Sequence, residues 1–365
     1  MKFEQLLQLM EEKQASDLYL KSGRPPVLRV DGDLSPLSEQ PPLDADGVQE
    51  IARHVLDEKQ LRILESDREM DVAYSLSGDL RFRLNIFYQM GELGIVCRRI
   101  KREIQTFADL NLPGEVLEKL SLEPRGLILI AGAAGSGKST TLAAMINFIN
   151  RQRKKHIITI EDPIEFTYQE DKSIINQREV GADTRSFQRA LRHVIRQAPD
   201  VIVIGEMRDL ETMTSAVMAA EVGHLVISSL HTINVSQTLE RIINFFPVFQ
   251  HRQIRMQIAS VLKGIVAQRL ISLKDGSGRV PACEVLVSTP TARKQIMEGK
   301  TDDLLKTIES GKISGMKTFN QSILELYQAG KIGHAEAMEN SDNPELLELA
   351  VKGIYTGAET FKVQR

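Results

Sequence analysis

Residues 132–140 read Gly132-Ala133-Ala134-Gly135-Ser136-Gly137-Lys138-Ser139-Thr140, a full match to G-x-x-x-x-G-K-[ST]. The apolar run GLILIA (126–131) precedes this stretch and TTLAAMINFI follows it, so it joins a strand to a helix. A glycine-rich turn in that setting demands a parallel α/β layer beneath it. The glycines permit a tight turn whose N–H groups converge on phosphate oxygens, and the helix starting near Lys138 adds its positive dipole end. Lys138 would sit against the β- and γ-phosphates, and Ser139 would ligate Mg²⁺. The bland alternative is a glycine-rich turn. The complete motif in its strand–helix context selects a P-loop NTPase instead.

Three further apolar runs, HIITI (156–160), VIVIG (201–205) and LVISSL (225–230), suit strands buried on both faces of a parallel sheet. Helical spacing lies between and beyond them, over 138–152, 184–197, 209–222, 251–270 and 317–339. The fold class expected is α/β, and open α/β sheets place ligands where such runs end.

Several chemical groups fall at those ends. Glu161-Asp162-Pro163-Ile164-Glu165 sets three carboxylates just past the second run. Such groups can hold hydrated Mg²⁺ or orient an attacking water, and the bland reading is a solvated acidic turn. Glu206 follows VIVIG as the best candidate for a metal-side (Walker B) carboxylate, with Gly205 at the usual Asp position. His224 and His231 flank LVISSL from opposite ends, which argues against shared metal ligation. His231-Thr232 resembles a γ-phosphate sensor. Arg185, Arg189, Arg192 and Arg196 share helical spacing, and Arg178 lies nearby. A solvated face, a subunit contact and a nucleic-acid rail are the readings for that series.

The first hundred residues read differently. Leu6, Leu7 and Met10 mark a helix, VLRVDG-DLSPL a hairpin, residues 47–65 have helical spacing, and 71–99 read as consecutive strands with short turns. A small α+β domain over 1–100 is expected, then a linker over 101–125, then an ATPase domain over 126–365 with a helical C-terminal region. Arg81 and Arg83 share one strand face, as surface charges or as arginine fingers toward a neighbouring subunit. The formal charge of −3 (46 Lys+Arg, 49 Asp+Glu) disfavours a nucleic-acid motor. Two cysteines, Cys97 and Cys283, make no disulfide framework and favour a reducing compartment. The N-terminal residues meet charge before any apolar run of signal length, and no apolar stretch reaches the ~18 residues of a membrane span.

Taken together, GAAGSGKSTTLAAMI (132–146), ITIEDPIEF (158–166), INQREVGADTRSFQRALRH (175–193), PDVIVIGEMRDLETM (199–213) and AAEVGHLVISSLHT (219–232) resemble the type IV pilus retraction ATPases of the PilT/PilU family. RIINFFP, VAQRLI, SDLYL and RFRLN extend the resemblance over nearly the whole chain. It implies a PAS-like N-terminal domain, a linker and a RecA-like ATPase domain in a hexameric ring that binds ATP or ADP with Mg²⁺. The family's catalytic glutamate falls on Glu165, its Walker B glutamate on Glu206, acting on Mg²⁺ through water, and its histidine-box residue on His231. Its N-terminal-domain arginines correspond to Arg81 and Arg83. The implied function is pilus retraction (pilin disassembly) and twitching motility. The implied setting is the bacterial cytoplasm at the inner membrane, against a platform protein and alongside a paralogous retraction ATPase, without nucleic acid.

Some stretches depart from the family pattern. Ala133-Ala134 stands where Pro-Thr or Ala-Thr is usual, which backbone-mediated phosphate binding tolerates. Val222 stands where Thr is common, STPTARKQI replaces an ATPAIRNLI-like stretch, and SDNPELLEL only partly keeps the usual wording. SGMKTFNQSILELYQAGKI (314–332) looks closer to the accessory PilU side. An extension or secretion ATPase is the nearest rival, but two cysteines cannot supply the four ligands of the zinc insertion such proteins often carry. A regulatory module with little turnover is a further rival, against which the acidic residues argue.

Overall fold

The computed structural model describes residues 2–30, 32–77, 80–100 and 103–354. The chain divides into two units, Met1–Arg102 and Glu103–Arg365.

In the first unit, helix α1 (Phe3–Glu12) buries Phe3, Leu6, Leu7 and Met10 on one face. Strands β1 (Asp17–Lys21), β2 (Val27–Val30) and β3 (Asp33–Pro36) follow, then helices α2 (Ala45–Val55) and α3 (Glu58–Asp67). Strands β4 (Glu69–Ser77), β5 (Leu80–Gln89) and β6 (Glu92–Arg99) complete an antiparallel sheet of order β3-β2-β1-β6-β5-β4. The hairpin of VLRV with DLSP forms as expected; Asp31, between them in the sequence, lies outside the described residues, as do Gly78 and Asp79. The helical spacing over 47–65 is interrupted at Asp57, whose carboxylate accepts from Gln60 N and starts a new helix. Met90 (φ 51°) and Gly91 (φ 86°) make the two-residue turn between β5 and β6 that antiparallel twist requires.

In the second unit, the segment from 103 onward packs into the core rather than standing apart. Helix α4 (Gly114–Ser121) buries Val116, Leu117 and Leu120, and Phe107 and Leu112 join them. The sheet comprises β7 (Gly126–Ala131), β8 (His156–Glu161), β9 (Ile174–Glu179), β10 (Val201–Ile204), β11 (Leu225–Leu230), β12 (Leu262–Ser272) and β13 (Arg279–Val287). Its order is β13-β12-β7-β11-β10-β8-β9, parallel except for β13 against β12. Alternate residues of one strand feed two cores: Leu127 and Leu129 on one face, Ile128 and Ile130 on the other. Helices α5 (Lys138–Gln152), α6 (Phe187–Val194), α7 (Leu210–Val222), α8 (Val235–Asn244) and α9 (His251–Val261) accompany the strands. Helices α10 (Pro290–Glu298), α11 (Leu304–Ser310), α12 (Phe319–Gln328), α13 (His334–Asn340) and α14 (Pro344–Val351) close the C-terminal side.

Three expected helices are corrected. The run 251–270 is helical only to Val261; Leu262 turns extended and pairs with Leu127, giving β7 a partner on its open edge. Gly264 lies so close to Leu120 and the Leu286 carbonyl that an added Cβ would approach both to 2.9 Å. The stretch 184–197 keeps its α-helix only over 187–194, because Ser186 caps its start and a 3₁₀ turn occupies 195–197. The stretch 317–339 breaks into α12 and α13 around Gly330 (φ 70°). Cys97 in β6 and Cys283 in β13 are free and buried, one in each unit. Among the described residues no helix is long and apolar enough to cross a membrane.

Candidate functional site: a phosphate loop ringed by carboxylates

The six residues of β7 are buried throughout and deliver the chain to Gly132. A Cβ at Gly132 (φ 154°) would meet Ser136 Oγ at 2.2 Å and the Gln268 carbonyl oxygen at 2.6 Å, so only glycine fits there. Gly137, at φ 89°, is the N-cap of α5 and offers no side chain to its first-turn N–H groups. Those groups head the site expected from the motif, which opens on a cavity of about 530 Å³. Ala134, Gly135, Gly137, Lys138, Ser139 and Thr140 line it. Gly132 and Ser136 are buried and Ala133 is exposed, and none of the three lines the cavity. The Lys138 ammonium donates to the carbonyls of Gly132 and Ala133, both at 2.8 Å.

The ends of β8, β10 and β11 bring the acidic and imidazole groups to the same cavity: Glu161, Asp162 and Glu165, then Glu206, then His231. Ser229 Oγ donates to the Gly205 carbonyl at 2.6 Å, and Met207 N donates to the Ser229 carbonyl at 3.2 Å, fixing the turn that presents Glu206. Glu165 is exposed, whereas Glu161 is held by the Thr159 hydroxyl at 2.6 Å and the Gln177 amide at 3.2 Å. Burial raises the Glu161 carboxyl above its ordinary value against those hydrogen bonds, and the Glu165 charge adds to the rise.

Lys138, His231 and Glu206 form a chain. Lys138 Nζ lies 3.3 Å from His231 Nδ1, and His231 Nε2 lies 3.1 Å from Glu206 Oε1. An ammonium can only donate, so Nδ1 accepts and the proton sits on Nε2, where it faces the carboxylate. Arg208 Nε donates to Glu206 Oε2 at 2.8 Å and occupies its other oxygen. Burial lowers the Lys138 ammonium from its ordinary value, and the charges of Glu206 and Glu165 oppose that. Among the described residues no group of three or more His, Cys, Asp or Glu can hold a metal by itself. Ser139 and the carboxylates of the cavity form an all-oxygen donor set. It fits Mg²⁺, which keeps several waters and shares its shell with phosphates.

Other expected positions separate from this cluster. Arg81 and Arg83 lie on β5 of the first unit, half-buried, with Arg83 Nε 3.4 Å from Asp71 Oδ1. Of the arginine series only Arg189 and Arg192 fall on α6, while Arg185 precedes its cap and Arg196 lies in the 3₁₀ turn; all four are exposed. His224 donates from Nδ1 to the Pro199 carbonyl at 2.8 Å, at the opposite end of β11 from the cavity. Leu270 of β12 and Arg279 of β13 also line the cavity; Leu270 falls in VAQRLI, a stretch that carries family resemblance without a site role, and no motif announces Arg279. Their presence follows from the pairing of β12 with β7, a long-range event.

Comparison with known proteins matches the model of the type II/IV secretion system protein family over residues 4–360. The chain is 45% identical over 352 residues to the type IV pilus ATPase PilU of Pseudomonas aeruginosa, covering 96% of this chain and 92% of that protein. It is 40% identical over 341 residues to the type IV pilus retraction ATPase PilT of the same organism, covering 93% and 98%. Among solved structures, the pilus retraction motor PilT with bound ADP superposes with a TM-score of 0.89 at 43% identity, over 95% of this chain and 99% of that one. The Legionella pneumophila ATPase DotB, 24% identical, shares the fold with a TM-score of 0.73 over 96% and 95%. The second unit is thus a RecA-like P-loop ATPase core with a mixed sheet, and the first is a small additional α+β domain. With the phosphate loop and its carboxylates in place, the chain belongs to the type II/IV secretion system protein family and, within it, to the PilT/PilU group of type IV pilus ATPases.

Proposed function

We propose that this chain is an Mg-ATP-hydrolysing motor that works as a hexameric ring and drives type IV pilus retraction. The observation that carries the reading is convergence: the phosphate loop, four carboxylates and His231 line one cavity at the ends of adjacent parallel strands. Lys138 and the N–H groups of the loop from Gly132 to Thr140 hold the phosphates. Ser139 directly, and Glu206 through water, hold Mg²⁺, which offsets phosphate charge when bound. Glu165 orients the attacking water and accepts its proton. His231, between Lys138 and Glu206, registers departure of the γ-phosphate. Arg81 and Arg83 of a neighbouring subunit stabilise the charge that develops. Domain motion is passed to an inner-membrane platform protein, from the cytoplasmic side.

Phosphate release with Mg-ATP, measured against protein concentration, tests this. Specific activity should rise to a plateau as the ring assembles and vanish in Lys138→Ala. Absence of turnover with subunits assembled defeats the reading of an independent motor.

A second reading, an accessory ATPase working beside a paralogous motor, is supported by the higher identity to PilU (45%) than to PilT (40%). The character of residues 314–332 agrees with it. Retraction in cells lacking every paralogue separates the two: a primary motor retracts pili alone, and an accessory one does not.

A further inference from the structure

Gln268 lies on β12, one residue beyond the Ala267–Ala131 pair, level with the start of the phosphate loop. Its side chain is buried (3% exposed) and makes two bonds of opposite sense. Nε2 donates to the Ser136 carbonyl at 2.6 Å, and Oε1 accepts from the Thr141 hydroxyl on the first turns of α5 at 2.8 Å. A Cβ on Gly137 would lie 3.0 Å from the same Nε2, so the amide is seated directly against the loop.

The Ser136–Gly137 peptide is planar and trans, so its C=O and N–H point in opposite directions. Holding the Ser136 oxygen toward β12 therefore turns the Gly137 N–H away from β12. Gly137 lines the nucleotide cavity. We propose that Gln268 is a positioning residue that presets the Gly137 N–H toward bound phosphate. This rests on the cavity being a nucleotide site, as proposed above.

A primary carboxamide of this length supplies both senses at once at any pH, whereas a carboxyl does so only when protonated. The Thr141 hydroxyl donates to Oε1, which fixes the amide's orientation and leaves Nε2 facing the loop. A carboxylate in its place keeps the shape and the bond from Thr141 but loses the donor, and it sets an anionic oxygen against the Ser136 carbonyl. A protonated carboxyl regains a donor. That difference separates positioning from packing, because the shape is the same in both protonation states.

The test is the affinity of the full chain for a fluorescent ADP analogue, with thermal melting in its absence as a folding control. Gln268→Leu and Gln268→Glu should each weaken binding about tenfold at pH 8 while melting within a few degrees of wild type. The ratio of Gln268→Glu to wild-type Kd should fall toward unity at pH 5, because burial against the Ser136 carbonyl raises the introduced carboxyl above its ordinary range so that it protonates there. Thr141→Val, which frees the amide to rotate but keeps it, should weaken binding by a smaller factor. It provides the measurement should Gln268→Leu fail to fold. Equal affinities for wild type, Gln268→Glu and Thr141→Val at pH 8 overturn the positioning role while leaving the nucleotide site intact. A tenfold loss with no recovery at pH 5 also overturns it. Failure of wild type itself to bind the analogue overturns the nucleotide reading and this one together.

Discussion

The two sheets of this molecule solve different problems. In β5 of the first unit, Phe82, Leu84 and Ile86 are buried and alternate with Arg81, Arg83 and Asn85, so one face meets a core and the other carries charge. In β7 and β11 of the second unit every residue is buried, and in β10 likewise. A sheet with one open face can display chemistry along its length. A sheet covered on both faces can display it only where strands end, which is where Lys138, Glu165, Glu206 and His231 stand. The contrast separates residues that fold the protein from those that line the candidate site.

Four substitutions bear on this contrast. Ile202→Asp, which sets an unpaired carboxylate inside β10, should prevent the second unit from folding; a soluble variant with native circular dichroism would break the claim of double coverage. Glu165→Gln, at an exposed strand-end position, should lower the turnover number ~10²- to 10⁴-fold and leave nucleotide affinity and melting unchanged. A wild-type rate would remove Glu165 from the chemistry.

Glu284 on β13 sharpens the comparison, since a doubly covered sheet offers a carboxyl no water. It is 3% exposed, and its carboxylate accepts from Val235 N, the first residue of α8, at 2.8 Å. Burial pushes it up from 4.5 to about 7; the Val235 bond opposes this, Asp342 adds to it and Arg269 opposes it. Between those two values the folded state binds more protons than the unfolded one, so stability falls as pH rises through this range. Above it the cost is about 3 kcal/mol. Glu284→Gln should match wild type near pH 4, below both values, and exceed it by up to that amount at pH 8 in urea denaturation. The smallest effect is expected at the exposed Ser75 on β4, where Ser75→Thr should move stability by no more than ~0.5 kcal/mol.

What the sequence disclosed followed the range of the interactions involved. The phosphate loop, β7, β8, β10, β11 and α5 are written in local patterns, and Lys138–Gln152 forms over the expected residues. Glu206 and His231 were legible because each closes an apolar run. The β12 strand was not: Ile254, Ile258, Val261, Leu262 and Ile265 keep helical spacing across a boundary with no glycine or proline at Val261–Leu262. There, the open edge of β7 decides the conformation. The same strand carries Leu270 and Gln268, and the contact of Gln268 with Ser136 spans 132 residues. VAQRLI marks that neighbourhood as resembling the family, but nothing local in it says that its residues reach the phosphate loop by sheet pairing. Asp57 is the opposite case, a cap signal readable in place that divides 47–65 in two.

The pair of cysteines gives each unit its own clock. Cys97 is fully buried in the first sheet and Cys283 is 3% exposed in the second, and burial raises both thiols, Cys283 to about 12. Neither is reactive while its sheet is closed, because alkylation needs an exposed thiolate. Mass-resolved labelling of the native protein thus times the opening of the two units separately, with no engineered probe. A nucleotide that steadies only the second unit should slow one clock and leave the other running.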